Sequence, residues 1–280
     1  SILLSIALVP ILLTKRPAPK FKKIGTLNLI ELYKISPLGA VSSFCTGAIY
    51  SALFAMFAVY ATKINFSLFE ISILLFLTTI AGAFFQVPVG YLSDKYNRRI
   101  VIILCNLFSA VFCLMLIFIS GDKLSNLNAL HILLDINIFQ NINLLTYAGP
   151  SKLYFFTIIT VYAGIALCIF SLNLAHTNDF VPKEKFVAAG GGLQIVFGLG
   201  AMGGPLFCSI VMDKLGPNGY FVYLIGFHII ISSFGLYRMA RRQVAENPDN
   251  TFTPLPRNIT PAGIELDPET GVDLSNTEKK

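Results

Sequence analysis

Six apolar runs, each long enough to cross a bilayer, decide what this chain can fold into. They cover roughly residues 38–61, 68–92, 100–120, 153–175, 187–212 and 218–238. A helix needs about 20 predominantly apolar residues to span the hydrocarbon core. No water reaches the backbone there, so only helices and closed barrels can cross. Barrel strands alternate apolar and polar residues, and "ISILLFLTTIAGAFF" (71–85) does not alternate. The predicted fold is all-α, a polytopic membrane protein whose core is a six-helix bundle. Only 13% of the 280 residues are charged, against about 25% in soluble domains. Lipid, not water, is the solvent this surface suits.

A shorter apolar run opens the chain, "SILLSIALVPILLTKR". Its charges, Lys15 and Arg16, follow the run, whereas a signal peptide carries them before it. Residues 1–13 read as the end of a truncated helix, which makes the bundle a half-bundle preceded by a partial helix. Residues 14–37 read as a cytoplasmic central loop. Residues 121–152 form a long external loop. In it Leu127, Leu130, Leu134, Ile138, Ile142 and Leu145 recur at helical spacing. That fits either an interfacial helix or an early, irregular start to the fourth span. Residues 241–280 are polar and proline-rich, a tail that buries too little apolar surface to fold alone.

Charge orients the bundle. If the opening run exits to the cytoplasm, fourteen of the 21 basic residues fall inside: Lys15, Arg16, Lys20, Lys22, Lys23, Lys34, Lys95, Arg98, Arg99, Lys183, Lys185, Arg238, Arg241 and Arg242. Four fall outside: Lys63, Lys123, Lys152 and Lys214. This bias predicts a cytoplasmic C-terminus. The net charge of +6 lies in short clusters between apolar runs, not on one polar face, so no nucleic-acid partner is expected. All five cysteines lie inside apolar stretches, and no pair has the close spacing of metal ligands. They read as small buried hydrophobes. No metal and no cofactor is expected.

The densest charge cluster is "GYLSDKYNRR" (90–99), pinned between two spans. Gly90 reads as a helix end, where a sharp turn tolerates no Cβ. Asp94 reads as the start of the next helix, where its carboxylate can accept from free backbone N–H groups. Arg98 and Arg99 then sit at a helix N-terminus that disfavours cations, and need a carboxylate, lipid phosphate or water in compensation. On physics alone the cluster is either a topology anchor or a moving part.

These residues resemble the signature loop of the major facilitator superfamily, G-x-L-[SA]-D-[RK]-x-[GN]-R-[RK]. Gly90, Leu92, Ser93, Asp94, Lys95, Arg98 and Arg99 match it, and Asn97 stands where Gly is commonest. The order of elements is similar to the end of helix six, the central loop and helices seven to twelve of that family. "GLGAMGGP" (198–205) is similar to its glycine-rich eleventh helix, and "DFVPKEK" (179–185) to the loop that feeds it. The long 121–152 connection departs from the family's usual short loop. The resemblance implies the C-terminal half of a secondary active transporter of a small solute, proton-coupled, working by symport or antiport through alternating access. It implies that Asp94 latches the cytoplasmic ends of two halves, and that the partner is an N-terminal half missing from this chain. It also implies residence in a bacterial inner membrane.

In such carriers the solute site lies near the midplane, so polar groups within spans are the candidates: Tyr50, Tyr60, Gln86, Asn173 and Gln194. For Gln86 the alternative is bonding a carbonyl freed by Pro88. His228 and Asn106 are expected to pack. Glu70, His176 and Asp179 are the possible proton-linked groups, all at helix ends expected to be wet. No acidic residue lies mid-membrane, so a proton carrier would sit in the absent half. Gly198, Gly200 and Gly204 with Pro205 are expected to let helices approach closely. An enzyme is not expected: no G-x-S-x-G, H-E-x-x-H or paired mid-span carboxylates occur. A non-transporting six-helix protein or split-gene fragment stays open as the alternative.

Overall fold

A computed structural model of the chain describes residues 27–120 and 150–241. The expectations for residues 1–26, for the 121–149 connection and for the tail from 242 lie outside the described residues.

Among the described residues, six helices are long and apolar enough to cross a membrane. A short helix, α1 (Leu29–Ile35), precedes them. The six are α2 (Pro37–Lys63), α3 (Leu68–Lys95), α4 (Arg98–Ser120), α5 (Lys152–Asn178), α6 (Lys183–Leu215) and α7 (Gly219–Arg241). No strand occurs among the described residues. The chain is an integral membrane protein of all-α class. Each helix runs a few residues beyond its apolar stretch, because polar end residues still continue the backbone ladder.

Local sequence explains the ends. Pro37 opens α2, where its missing N–H costs nothing. Asn65 turns the chain at φ 62° and Gly216 at φ 72°, a region that Asn and Gly tolerate best. Ser67 caps α3, and Glu70 returns a bond to the Ser67 backbone, 2.8 Å, closing a capping box. Pro88 and Pro205 both lie inside continuous helices. In membrane bundles, neighbouring groups re-satisfy the carbonyls that prolines free.

The bundle repeats itself. α2 packs on α6, α3 on α5, α4 on α7, α4 on α5, and α2 on α7. Exchanging α2–α4 for α5–α7 maps these contacts onto one another. α2 and α5, the first helix of each triple, are the most buried spans, and α3 and α6 the least. Both first helices are irregular. α2 contains a π turn at Ala52–Met56. α5 is broken between Ala166 and Ile169.

Glycine sets the α2–α6 distance. A Cβ on Gly200 would overlap the Phe44 carbonyl, one on Gly204 the Ser51 hydroxyl, and one on Gly47 the Phe197 carbonyl. The two backbones touch there, as small residues in membrane helices permit. Gly198 does not share this contact: a Cβ on it meets nothing within 4 Å. It lies half a turn from Gly200 and so faces away from α2. Pro205 is half-buried next to Gly204.

Residues 14–37, read as the cytoplasmic central loop, include α1. Leu32 of α1 is fully buried among Leu174, Val181, Phe186, Ala189 and Leu193. Docking on α5 and α6 holds a helix too short to persist alone.

Candidate gate and solute-contact residues

The charged turn differs from the sequence reading in two ways. Gly90 does not end a helix: it is buried inside α3, which runs on to Lys95. Asp94 does not start the next helix but sits in the last turn of α3. The cap is Asn97, whose Oδ1 accepts from the Arg99 backbone N–H at 3.0 Å. Asn is as good a cap as Asp, so the start of α4 does not need Asp94, and that carboxylate has a different partner.

That partner is Arg98. Its guanidinium lies 3.1 Å from Asp94 and 3.1 Å from Asp179. Asp179 follows the end of α5, so one side chain ties the α3–α4 turn to α5. The pairing supplies the carboxylate that a cation at a helix N-terminus requires. Arg99 is buried with its guanidinium 5.4 Å from the Phe180 ring. His176 packs edge-on against that same ring at 5.1 Å. Lys95 is exposed beside Tyr91 and Tyr96.

The groups expected to be wet are not. His176 is 4% exposed and Glu70 7%. Glu70 pairs with Lys152 at 2.7 Å, and Lys152 also sits 5.3 Å from the Phe66 ring. The pair joins the start of α3 to the start of α5, at the opposite end of the bundle from Arg98. The Phe180 ring covers His176, and Ser67 and Lys152 cover Glu70, neither of which a linear reading shows.

Between these ends runs a polar seam joining α2 to α5. Ser42, Thr46 and Tyr50 recur every four residues on α2, one face of a helix. Ser42 donates to Asn173 Oδ1 at 2.7 Å, and Asn173 Nδ2 donates to Thr46 at 3.2 Å. Ser36 and Thr177 hydroxyls meet at 3.2 Å. The Tyr50 hydroxyl donates to the Leu167 carbonyl, inside the break in α5. Ser42, Thr46, Asn173 and Thr177 are fully buried. Every member is uncharged, and the seam satisfies groups that would otherwise cost several kcal/mol each in hydrocarbon.

The other expected solute contacts scatter. Gln86 on α3 and Gln194 on α6 are half-buried. Tyr60 is fully buried in an aromatic cluster, 5.0 Å from the Tyr220 ring and 4.9 Å from Phe221, near the end of α2 that carries Lys63. Of the five, Tyr50 and Asn173 lie on the α2–α5 seam, in separate hydrogen bonds.

Sequence reasoning missed a second network. His228 Nδ1 lies 2.9 Å from Asn106 Oδ1, and its Nε2 lies 3.3 Å from the Tyr162 hydroxyl. Asn106 Nδ2 donates to the Ile102 carbonyl at 2.8 Å, which leaves Oδ1 to accept from His228. His228 therefore donates from Nδ1 to Asn106, and its Nε2 faces the Tyr162 hydroxyl. These bonds join α4, α5 and α7. The packing role expected of His228 and Asn106 fits this geometry. No group of three metal-ligating side chains occurs among the described residues.

The Major Facilitator Superfamily family matches residues 39–266. Among curated proteins, the chain is 24% identical over 212 residues to the uncharacterized MFS-type transporter YfkF of Bacillus subtilis (strain 168). That alignment covers 75% of this chain and 46% of the relative. It is 18% identical over 219 residues to the uncharacterized MFS-type transporter YcaD of Escherichia fergusonii, covering 78% of this chain and 49% of that one. The chain spans about half the length of the curated relatives it matches. No solved structure matches it. Since the family match runs through all six spanning helices, the chain belongs to the major facilitator superfamily.

Proposed function

We propose that this bundle is the C-terminal half of a secondary active transporter that moves a small solute by alternating access. The observation that carries the proposal is Arg98, held between Asp94 and Asp179. An ion pair that ties a turn to the end of a broken helix is a contact that parts when the two ends move apart. Asp94 is the more exposed carboxylate, at 33% against 12% for Asp179. A second half would meet Asp94 before Asp179. The apolar faces that α3 and α6 leave uncovered, with Phe76, Phe84, Leu199 and Leu206 exposed, support a partner half lying against them.

The solute contacts proposed are Tyr50 and Asn173 on the α2–α5 seam, with Gln86 and Gln194 flanking. Their uncharged chemistry favours a polar solute without a strong charge. Coupling to protons, by symport or antiport, would use a group in the other half, since Glu70 and Asp179 are both engaged in ion pairs here. The basic residues favour a cytoplasmic Asp94 end and C-terminus. The bacterial relatives favour an inner membrane.

The test is solute uptake by the intact carrier in proteoliposomes under an imposed pH gradient, screened over sugars, polyols, amino acids and amines. The expected result is concentrative uptake of one uncharged class, lost in Arg98→Ala. Gradient-independent leakage of every solute, unchanged in Arg98→Ala, would contradict the proposal.

A further inference from the structure

Helix α1 buries only one side. Leu32 faces α5 and α6, while Ile30 is 64% exposed and Tyr33 49% exposed. Ile30, Tyr33 and Lys34 stand at i, i+3 and i+4, so they share one outward face. Two large apolar side chains beside a lysine, immediately before a membrane span, have the composition of an interfacial helix. The surroundings are cationic. Lys34 and Lys183 are exposed, and Lys20, Lys22 and Lys23 precede α1 in the sequence. The carboxylate of α1, Glu31, is neutralised by Lys185 at 2.9 Å, leaving Glu184 as the acid of the adjoining turn.

We infer that α1 is a docking element for anionic lipid headgroups, in the leaflet on the side of the Asp94 turn. Ile30 and Tyr33 enter the headgroup layer, and Lys34 and Lys183 hold phosphate oxygens at its surface. Clustered cations next to a span attract anionic lipid in this way. Because Leu32 is wedged against the start of α6, where a Cβ on Gly192 would meet it at 2.8 Å, lipid bound at α1 braces the ends of α5 and α6. The inference does not depend on transport activity, and its test does not use it.

The five native cysteines are buried, so an introduced thiol labels alone. The full chain carrying Tyr33→Cys with a bimane label is placed in nanodiscs containing brominated phosphatidylglycerol or brominated phosphatidylcholine. The expected result is stronger quenching by the glycerol lipid. Lys34→Glu with Lys183→Glu lowers that preference by about 25-fold, at roughly one factor of five per cation. The preference also fades near 1 M salt, where the Debye length is about 3 Å. Ile30→Cys repeats the reading should Tyr33→Cys fold poorly. Equal quenching by both lipids, no quenching, or loss of the preference on adding inorganic phosphate at low ionic strength would overturn the inference. The last result would mean a site for free phosphate.

Discussion

The Arg98 guanidinium lies 3.1 Å from the Asp179 carboxylate, joining residues that stand at the two ends of separate spans. Arg98 is 9% exposed on its side chain and Asp179 12%, so removing one leaves the other nearly dry. Breaking a buried pair costs about 3–5 kcal/mol, and residual exposure puts this one at the low end. Arg98→Ala is expected to lower the unfolding temperature. A thiol-reactive dye reads it, since all five cysteines react only on unfolding. Arg98→Lys is expected to recover only part, because an ammonium is not a planar fork that spans two carboxylates. Full stability in Arg98→Ala would remove the clasp from the account.

Gly200→Ala tests the α2–α6 contact. The added methyl meets the Phe44 carbonyl, which is backbone and cannot rotate away. Overpacking of this kind costs about 1–3 kcal/mol. Gly198→Ala, which meets nothing within 4 Å, is expected to leave the same dye-detected melting curve unchanged. Equal effects of the two would show that the helices do not touch through Gly200.

His228→Leu removes the donor to Asn106 and leaves its buried Oδ1 without that bond, at a cost of about 1–3 kcal/mol. The double variant His228→Leu with Asn106→Leu is expected to be more stable than His228→Leu alone, because apolar replacement of both partners relieves the orphaned amide. A strictly additive loss in that pair would mean that the two side chains do not interact.

α1 has a pH-dependent tie. The hydrogen bond from Lys185 holds the Glu31 carboxyl below its ordinary value. A depressed folded value means the contribution is complete above the ordinary glutamate pKa, about 4.3, and is lost as pH falls through the lower, folded value. Labelling of a Leu29→Cys thiol is expected to accelerate only in that acid range, and Glu31→Gln is expected to remove the acid dependence. Acceleration between neutral and mildly acid pH would contradict the assignment.

The six spans were legible because lipid imposes a simple rule: an apolar run of sufficient length must be a helix. Their ends were less so. Gly90 looks like a stop, yet Tyr96 N still reaches the Leu92 carbonyl at 2.9 Å, and Asn97 rather than Asp94 caps the next helix. Pro88 and Pro205 look like breaks and are not. The real break in α5, at Leu167–Cys168, carries neither proline nor glycine. The candidate site was half legible. Tyr50 and Asn173 were visible as polar groups in spans. Their partners Leu167 and Ser42 lie more than a hundred positions away in sequence, and only packing brings them together. Asp179 was noticed as an acid, but nothing local connects it to Arg98.

The central claim places the Asp94–Arg98–Asp179 clasp at the cytoplasmic mouth of a transporter. Tyr96, 56% exposed in that turn, offers a direct reading. A Tyr96→Cys variant is treated with a membrane-impermeant maleimide in intact cells and in inside-out vesicles. Labelling in the vesicles alone is the predicted result; labelling in intact cells would put the clasp on the external face and contradict the account.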